Sequence, residues 1–288
     1  MSRTLPFILA LVFLLCGARA VPADTAQPAQ SVLTLGVYAH IRPTDVLQKF
    51  TPFLDAIEAG LRERGAAMTV ALKIYPTYDD AVDALARGEV DFARYGAVSY
   101  VLAKEKNDGL RILAVESNDG RKTFDGVIAV PTASPARSLG DLRGKTIAFG
   151  DPNSTTGRYL AQAALVRAGL AARDFVGIEY LGRHDKVAFA VGAGNYDAGA
   201  MNENTFNKYA ADKGLRAIAT FPCATKPWVA RAGLDGRVHE TLRLTLLDLK
   251  DDTALDAIQR TALVAGTDGD YTMIRDGMRM SLEFGALP

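Results

Sequence analysis

Three adjacent hydroxyl residues, Ser154, Thr155 and Thr156, stand between a turn and a predicted helix. The apolar run at residues 146–149 predicts a buried strand, and residues 150–153 have the composition of a tight turn. A hydroxyl at the N-cap satisfies one orphan amide, while the other free N–H groups and the positive end of the helix dipole face outward. This arrangement suits a phosphate-like oxyanion.

An ordinary helix cap is the alternative interpretation of this segment, because one hydroxyl is enough to cap a helix. No lysine follows the glycine as it would in a P-loop, and the glycine spacing of a dinucleotide-binding fold is absent. A ligand with several acceptor oxygens would use the hydroxyls that a cap does not need. The segment therefore favours anion binding over a purely structural cap.

The composition limits the class of partner and of chemistry. Lys and Arg total 33 and Asp and Glu total 33, so no basic field indicates nucleic acid. The three histidines, His40, His184 and His239, show no metal-ligand spacing, and we expect neither a metal nor another cofactor. Ser154 has only His184 as a candidate base and no orienting group behind it, so we do not expect an enzyme.

The N-terminus predicts export. Residues 1–20 combine a basic start, an apolar stretch and a small-x-small site, which is typical of a signal peptide cleaved near Ala20 and predicts the periplasm. A lipoprotein anchored on Cys16 is the alternative, disfavoured because Leu15 is a poor residue before such a cysteine. With Cys16 removed, Cys223 is a lone thiol that we expect to be a small packed residue.

Short apolar strands alternate with amphipathic helices along the mature chain. This order predicts an α/β protein of two lobes, each with a mainly parallel sheet and helices on both faces. The first lobe is expected over residues 31–125, the second over 126–227, and residues 228–288 are expected to return to the first. Two crossings between the lobes predict a cleft with a hinge at its base.

Several side chains follow predicted strands and should meet at this cleft, because ligands bind beyond the C-terminal ends of parallel strands. Tyr78, Tyr95 and His184 occupy such positions. Tyr78 can donate its phenol to a ligand or can pack on Tyr75 and Tyr95. His184 can donate to an oxyanion or can cap a helix at the surface, so both residues keep a structural alternative.

In order and spacing these segments resemble a known family, the periplasmic phosphate-, phosphite- and phosphonate-binding proteins that serve ABC importers. The strongest match is residues 150–157, which are similar to the family's Ser-Thr-Ser-Gly loop with Thr156 in place of the second serine. The other matching segments are Tyr78 with the helix after it, residues 88–96, residues 182–185, residues 196–199 and residues 270–285. The resemblance implies a type II periplasmic binding fold.

The resemblance also implies roles for particular residues. Ser154, Thr155 and Thr156 would hold the phosphoryl oxygens through hydroxyl and backbone N–H groups. Tyr78 from the first lobe and His184 from the second would close on the same group. The cleft would then bind a small phosphorus oxyanion between the two lobes.

Departures from the family's pattern bear on the ligand. Members that take aminoalkylphosphonates place a phenol after the first crossing and two acidic residues on the ammonium group; here these positions are Phe124, Asn204 and Lys226. Two like charges about 4 Å apart repel by a few kcal/mol at an intermediate dielectric constant, so Lys226 disfavours an ammonium ligand. Glu203 would restore a carboxylate if the register shifts by one residue.

Taken with the signal peptide, the resemblance predicts a monomeric solute-binding protein of the periplasm. It would capture phosphate, phosphite or a simple phosphonate and deliver it to an ABC permease in the inner membrane. A sensory accessory protein that uses the same pocket and a histidine kinase partner is the alternative. The choice among the oxyanions stays open.

Overall fold

The computed structural model describes residues 31–39 and 43–285. The predicted signal peptide with its cleavage site, and with them Cys16, lie outside these residues, as does His40. No helix within residues 31–39 and 43–285 has the length and apolar character needed to cross a membrane.

Eleven strands form within the described residues. Their bounds are β1 (Ser31–Tyr38), β2 (Met68–Tyr75), β3 (Phe92–Arg94), β4 (Arg111–Ser117), β5 (Thr123–Pro131), β6 (Thr146–Phe149), β7 (Gly177–Tyr180), β8 (Ala198–Asn202), β9 (Leu215–Ala224), β10 (Pro227–Ala230) and β11 (Ala262–Val264). A six-stranded sheet has the order β11-β4-β10-β3-β1-β2, and a five-stranded sheet has the order β7-β6-β8-β5-β9. The first lobe is built on the six-stranded sheet and the second lobe on the five-stranded sheet.

The same part of the chain forms nine α-helices. Their bounds are α1 (Pro43–Glu63), α2 (Tyr78–Arg87), α3 (Ala97–Lys106), α4 (Leu160–Arg167), α5 (His184–Gly192), α6 (Glu203–Lys213), α7 (Gly236–Leu247), α8 (Asp252–Ala257) and α9 (Thr272–Leu282). Helix α2 shows why its ends are sharp: Thr77 accepts a hydrogen bond from the N–H of Asp80, and Gly88 ends the helix with φ of 75°.

Strand pairing is mixed in both sheets. In the first sheet β1 pairs in parallel with β2 and β3, whereas β10 runs antiparallel to β3 and β4. In the second sheet β6 is parallel to β7 and β8, whereas β5 is antiparallel to β8 and β9. The predicted two-sheet α/β fold is confirmed, but its pairing is less parallel than predicted. The reason is that β5 and β10, which follow the crossings, enter their sheets from the opposite direction.

The C-terminal helices divide between the lobes. Helices α7 and α8 lie against α1 in the first lobe, but α9 packs on α4 of the second lobe. Gly277 permits this packing, since a Cβ there would come within 2.2 Å of the Leu160 side chain. Phe284 follows α9 and meets the ring of Phe149 edge-on, with centroids 5.9 Å apart. Helix α9 also contacts α3 of the first lobe, so it lies between the lobes, and the predicted return of residues 228–288 to the first lobe stays a prediction.

Candidate anion-binding site

A cavity of about 150 Å³ is lined by residues of both lobes. The first lobe contributes Tyr38, Tyr78, Gly96 and Ala97. The second lobe contributes Phe124, Ser154, Thr155, Thr156, His184, Asn202, Cys223 and Ala224, and Lys226 lies on the crossing between β9 and β10. Among the described residues, the lining contains hydroxyl, phenol, imidazole, amide and ammonium groups but no Asp or Glu. Such a wall can donate many hydrogen bonds and offers no carboxylate to a cation.

Five helical segments begin at this cavity. Tyr78, Ala97 and His184 are the first residues of α2, α3 and α5, Asn202 is the N-cap of α6, and Thr155 begins a π-helical turn that leads into α4. The first N–H groups of a helix have no partner inside it, and its N-terminus is the positive end of its dipole. Helix N-termini converging on one cavity favour an anion there.

The backbone around Ser154 holds the hydroxyl loop in a tight conformation. Ser154 Oγ accepts a hydrogen bond of 3.0 Å from the N–H of Gly157, and the N–H of Gly150 donates to the carbonyl of Gly157 at 2.8 Å. A Cβ on Gly157 would lie 2.8 Å from Ser154 Oγ and 3.1 Å from the Cα of Gly150. Glycine is therefore required at position 157 for the loop to close on itself.

Thr155 forms a direct hydrogen bond between the lobes. Its Oγ1 accepts a buried hydrogen bond of 3.0 Å from the N–H of Val98, in the first turn of α3. A hydroxyl that accepts an N–H still has its own proton to donate, and the same holds for Ser154. Thr156 Oγ1 has no hydrogen-bond partner in the described part of the chain. All three hydroxyls can thus donate to one ligand.

Two tyrosines of the first lobe face the hydroxyl loop. The rings of Tyr38 and Tyr78 lie 4.0 Å apart, and the phenol oxygen of Tyr38 accepts a hydrogen bond of 3.0 Å from the N–H of Gly96. A Cβ on Gly96 would come within 2.7 Å of that oxygen, so glycine permits the approach. Burial raises the pKa of both phenols, and that of Tyr78 lies well above 10. Both groups keep their protons at neutral pH and can act as donors.

His184 is a neutral group at physiological pH. Burial, followed by the charge of Lys226, lowers the pKa of His184 from 6.5 to about 4. Its Nε2 lies 3.3 Å from Ser154 Oγ, while its buried Nδ1 has no hydrogen-bond partner within residues 31–39 and 43–285. With the proton on Nε2, the ring can donate to an oxyanion without adding a charge.

We expect the buried imidazole of His184 to make the protein less stable in acid. Unfolded His184 gains a proton as the pH falls through 6.5, whereas the folded form does not until about pH 4, so the free energy of unfolding falls over that interval. The loss is at most about 3 kcal/mol, because one pKa unit corresponds to about 1.4 kcal/mol. Urea denaturation near pH 5 and near pH 7 measures it, and His184→Gln should reduce the difference. If the free energy of unfolding changed equally between the two pH values in wild type and in His184→Gln, the burial of a neutral His184 ring would be contradicted.

Lys226 carries the one ammonium group in the cavity wall as the structure describes it. Burial, followed by the charge of Arg94, lowers the pKa of Lys226 to about 7. Behind it the fully buried Glu116 accepts hydrogen bonds from Arg94 Nε at 2.5 Å and from Arg260 Nε at 2.6 Å. The carboxylate is therefore already shared by two guanidinium groups.

Most of the predicted site residues line the cavity: Tyr78, Phe124, Ser154, Thr155, Thr156, His184 and Lys226. Tyr95 does not, because it is fully buried in the core with its ring 5.7 Å from that of Tyr38. The ring of Tyr78 packs on that of Tyr38. Sequence reasoning missed Tyr38, although it ends β1 as Tyr75 ends β2, and this strand-end position was a usable signal.

The structure does not bring Asn204 to the cavity either. Asn204 is exposed and its amide donates to Gln259 at 3.4 Å, while Asn202 lines the cavity in its place. Asn202 Oδ1 accepts a hydrogen bond of 2.8 Å from the N–H of Thr205, which leaves its amide N–H₂ free to donate. Glu203 accepts from the N–H of Asp125 at 2.9 Å and does not line the cavity, so a shifted register brings no carboxylate to it.

The Cys223 thiol and the arrangement of metal-binding residue types also limit the chemistry of the site. The buried thiol of Cys223 lines the cavity wall and donates to the carbonyl of Ala224 at 3.3 Å, and burial raises the pKa of this thiol. Within residues 31–39 and 43–285 no cluster of His, Cys, Asp and Glu could hold a metal ion.

Two mixed sheets with helices on both faces and a cavity between two lobes define the type II class of periplasmic binding proteins. The chain belongs, more narrowly, to the family described as the periplasmic substrate-binding protein of phosphonate ABC transporters, whose model matches residues 35–271.

Relatives of known name agree with this family. The chain is 28% identical over 189 residues to a phosphonates-binding periplasmic protein of Escherichia coli strain K12, which covers 64% of this chain and 54% of that protein. It is 26% identical over 195 residues to a probable ABC transporter phosphite binding protein, PhnD1, of Prochlorococcus marinus strain MIT 9301. That match covers 62% of this chain and 65% of the other protein. The matches thus span less than two thirds of the length of either relative.

A solved structure shares the fold. PhnD1 from Prochlorococcus marinus in complex with methylphosphonate superposes with a TM-score of 0.75 at 23% identity. The match covers 88% of this chain and 99% of the other.

Proposed function

We propose that this chain is an exported solute-binding protein that captures a small phosphorus oxyanion in the cavity and delivers it to an ABC permease. The proposed ligands are phosphate, phosphite or a simple phosphonate. The observation that carries the proposal is that helix N-termini and hydroxyl donors converge on one cavity. The described residues that line this cavity include no carboxylate. The family, and relatives named for phosphonate and phosphite, support it.

The size of the cavity supports a compact ligand. A cavity of about 150 Å³ in another protein binds benzene, so the similar volume here suits a tetrahedral oxyanion with a short substituent. The hydroxyls of Ser154, Thr155 and Thr156 would donate to its oxygens, and the phenols of Tyr38 and Tyr78 would donate from the other lobe. Such charge-assisted hydrogen bonds are about twice as strong as neutral ones.

Lobe closure is the proposed mechanism of capture. A ligand shifts a conformational balance only when it binds one state better than the other, and an oxyanion in contact with both lobes favours the closed state. The hydrogen bond between Thr155 and Val98 joins the lobes in that state. The two crossings, residues 118–122 and 225–226, are where the chain would bend.

The contact between Ser154 and His184 supports binding rather than catalysis. A nucleophile needs a base that is itself oriented by a third group. The carboxylate of Asp185, the residue next to His184, instead accepts from Arg183 Nε at 2.9 Å, and His184 Nδ1 has no hydrogen-bond partner among the described residues. Ser154 Oγ is already used as a helix cap.

Isothermal titration calorimetry tests the ligand class. We expect binding of methylphosphonate, phosphate or phosphite, and binding of 2-aminoethylphosphonate weaker than that of propylphosphonate by about tenfold or more, because Lys226 repels an ammonium group that no carboxylate of the lining neutralises. Propylphosphonate is the matched control, since it has a methyl in place of the ammonium. Tighter binding of the amino compound would contradict the assignment, and no binding of any of these anions would overturn the proposed function.

A further inference from the structure

The ammonium group of Lys226 is part of the cavity wall and has no partner of its own. Within the described residues Nζ makes no hydrogen bond and no ion pair. Glu116 does not serve as its partner, because both carboxylate oxygens accept hydrogen bonds from guanidinium groups, Oε1 from Arg94 and Oε2 from Arg260. A largely desolvated cation without a counter-ion is costly, so its environment favours an anion beside it.

The charge around Lys226 is one-sided. The charged groups of the described residues that act most strongly on it are Arg94, Glu116, Arg260 and Lys49, of which three are cationic. Phe124 lines the cavity and contacts this cluster, with the Arg260 guanidinium 6.0 Å from the centre of its ring. Of these cations, Lys226 alone lines the cavity. Lys226 is therefore the member of this positively charged cluster that a ligand in the cavity can contact.

The hydroxyl loop does not need Lys226 to bind a phosphoryl group. Ser154, Thr155 and Thr156, with the N–H groups of the helical turn that they begin, supply donors from a different part of the second lobe. Lys226 comes from the crossing between β9 and β10, so the two sets of donors lie on separate elements of one wall. With the phosphoryl group placed on the loop, the ammonium group is assigned to another part of the same ligand.

We propose that Lys226 binds a second anionic group of the ligand, so that the site takes phosphonates with a carboxylate on a short carbon chain. This inference rests on the proposed function and narrows its substrate class. The carboxylate supplies the counter-ion that Lys226 lacks, while the phosphonate occupies the hydroxyl loop. The cavity volume of about 150 Å³ limits the chain between the phosphonate and the carboxylate to about one or two carbon atoms.

Calorimetry with two nearly identical ligands tests the inference. Phosphonoacetate carries the carboxylate, and phosphonoacetamide replaces it with a neutral amide of the same shape. We expect the wild-type protein to bind phosphonoacetate about tenfold to a hundredfold more tightly, which is the usual gain from a hydrogen bond between charged groups. In Lys226→Met the ratio of the two dissociation constants should fall to within about threefold.

Lys49→Met is the matched control, because it removes one positive charge from the same cluster on a residue that does not line the cavity. It should leave the ratio within about threefold of the wild-type value. Circular dichroism confirms folding of each variant, and Lys226→Gln replaces the methionine variant if that one does not fold. Equal affinity of wild-type protein for the two ligands, or a ratio that survives loss of the lysine, would overturn the inference. Failure of phosphate, phosphite, methylphosphonate and phosphonoacetate alike to bind would instead overturn the proposed function.

Discussion

Thr155→Val is expected to weaken binding of methylphosphonate by about 1.5–3 kcal/mol, the usual range for losing a hydrogen bond to a charged group. The hydroxyl has two roles in the closed cleft. It can donate to the ligand, and its oxygen accepts the N–H of Val98 across the lobes. Valine keeps the shape of the side chain but leaves that buried N–H without an acceptor, so both the ligand and the closed state lose a stabilising contact.

Calorimetry on folded Thr155→Val protein measures the effect. Thr155→Ser is the control, because it retains the hydroxyl and loses only a methyl group, and its affinity should stay within a few-fold of the wild-type value. If the valine variant binds as tightly as wild type while remaining folded, Thr155 is a structural cap and the hydroxyl loop does not bind the ligand.

Glu116→Gln is expected to lower the free energy of unfolding by about 3–5 kcal/mol, the range seen when one partner of a buried ion pair is removed. Glu116 is 0% exposed, and its carboxylate is a leading negative charge acting on Lys226. Its neutral replacement leaves Arg94, Arg260 and Lys226 close together with no counter-charge. Their mutual repulsion and desolvation then favour the unfolded chain.

Urea denaturation compares this variant with Glu240→Gln. Glu240 also contacts an arginine through both oxygens, at 2.7 and 2.8 Å from Arg243, but its side chain is 51% exposed. Exposed pairs of this kind contribute less than about 1 kcal/mol, so the control should be nearly as stable as wild type. A loss of similar size in both variants would show that the buried network is not the source of the effect.

Local signals made part of the site predictable from the sequence. Strand β6 has the predicted bounds of residues 146–149, and α2 begins at Tyr78, where a helix was expected. The hydroxyl loop follows β6 as expected. Turn residues, caps and apolar runs act within a few positions of the chain, so they can be recognised without the tertiary structure.

Two helices that border the cavity gave no periodic signal. Helix α3 is buried on nearly every side, from Ala97 to Ala103, so it has no polar face for a pattern to reveal. Helix α6 is the opposite case, with no buried residue along its length. Their N-termini supply Ala97 and Asn202 to the cavity, which is why sequence patterns found only part of the donor set. Asn202 itself, a favoured N-cap residue type whose Oδ1 accepts the backbone N–H of residue 205, was the signal available for α6.

Contacts between residues that are far apart in the sequence could not be predicted from the local sequence pattern. Tyr38 gains its role from the N–H of Gly96, which is 58 positions away. Likewise Lys226 was expected only to repel a cation, whereas its one-sided surroundings depend on Glu116 being shared by two arginines from other elements. Such charges meet only when the crossings and both sheets are in place.

We expect one phosphorus oxyanion to be bound by both lobes at once, and a crystal structure of the protein grown with methylphosphonate would show whether it is. The prediction is that the phosphonate oxygens lie within hydrogen-bond distance, about 2.5–3.2 Å, of the hydroxyls of Ser154, Thr155 and Thr156 and of Tyr38 or Tyr78. A phosphonate bound outside the cavity, or contacted by residues of one lobe only, would contradict the account.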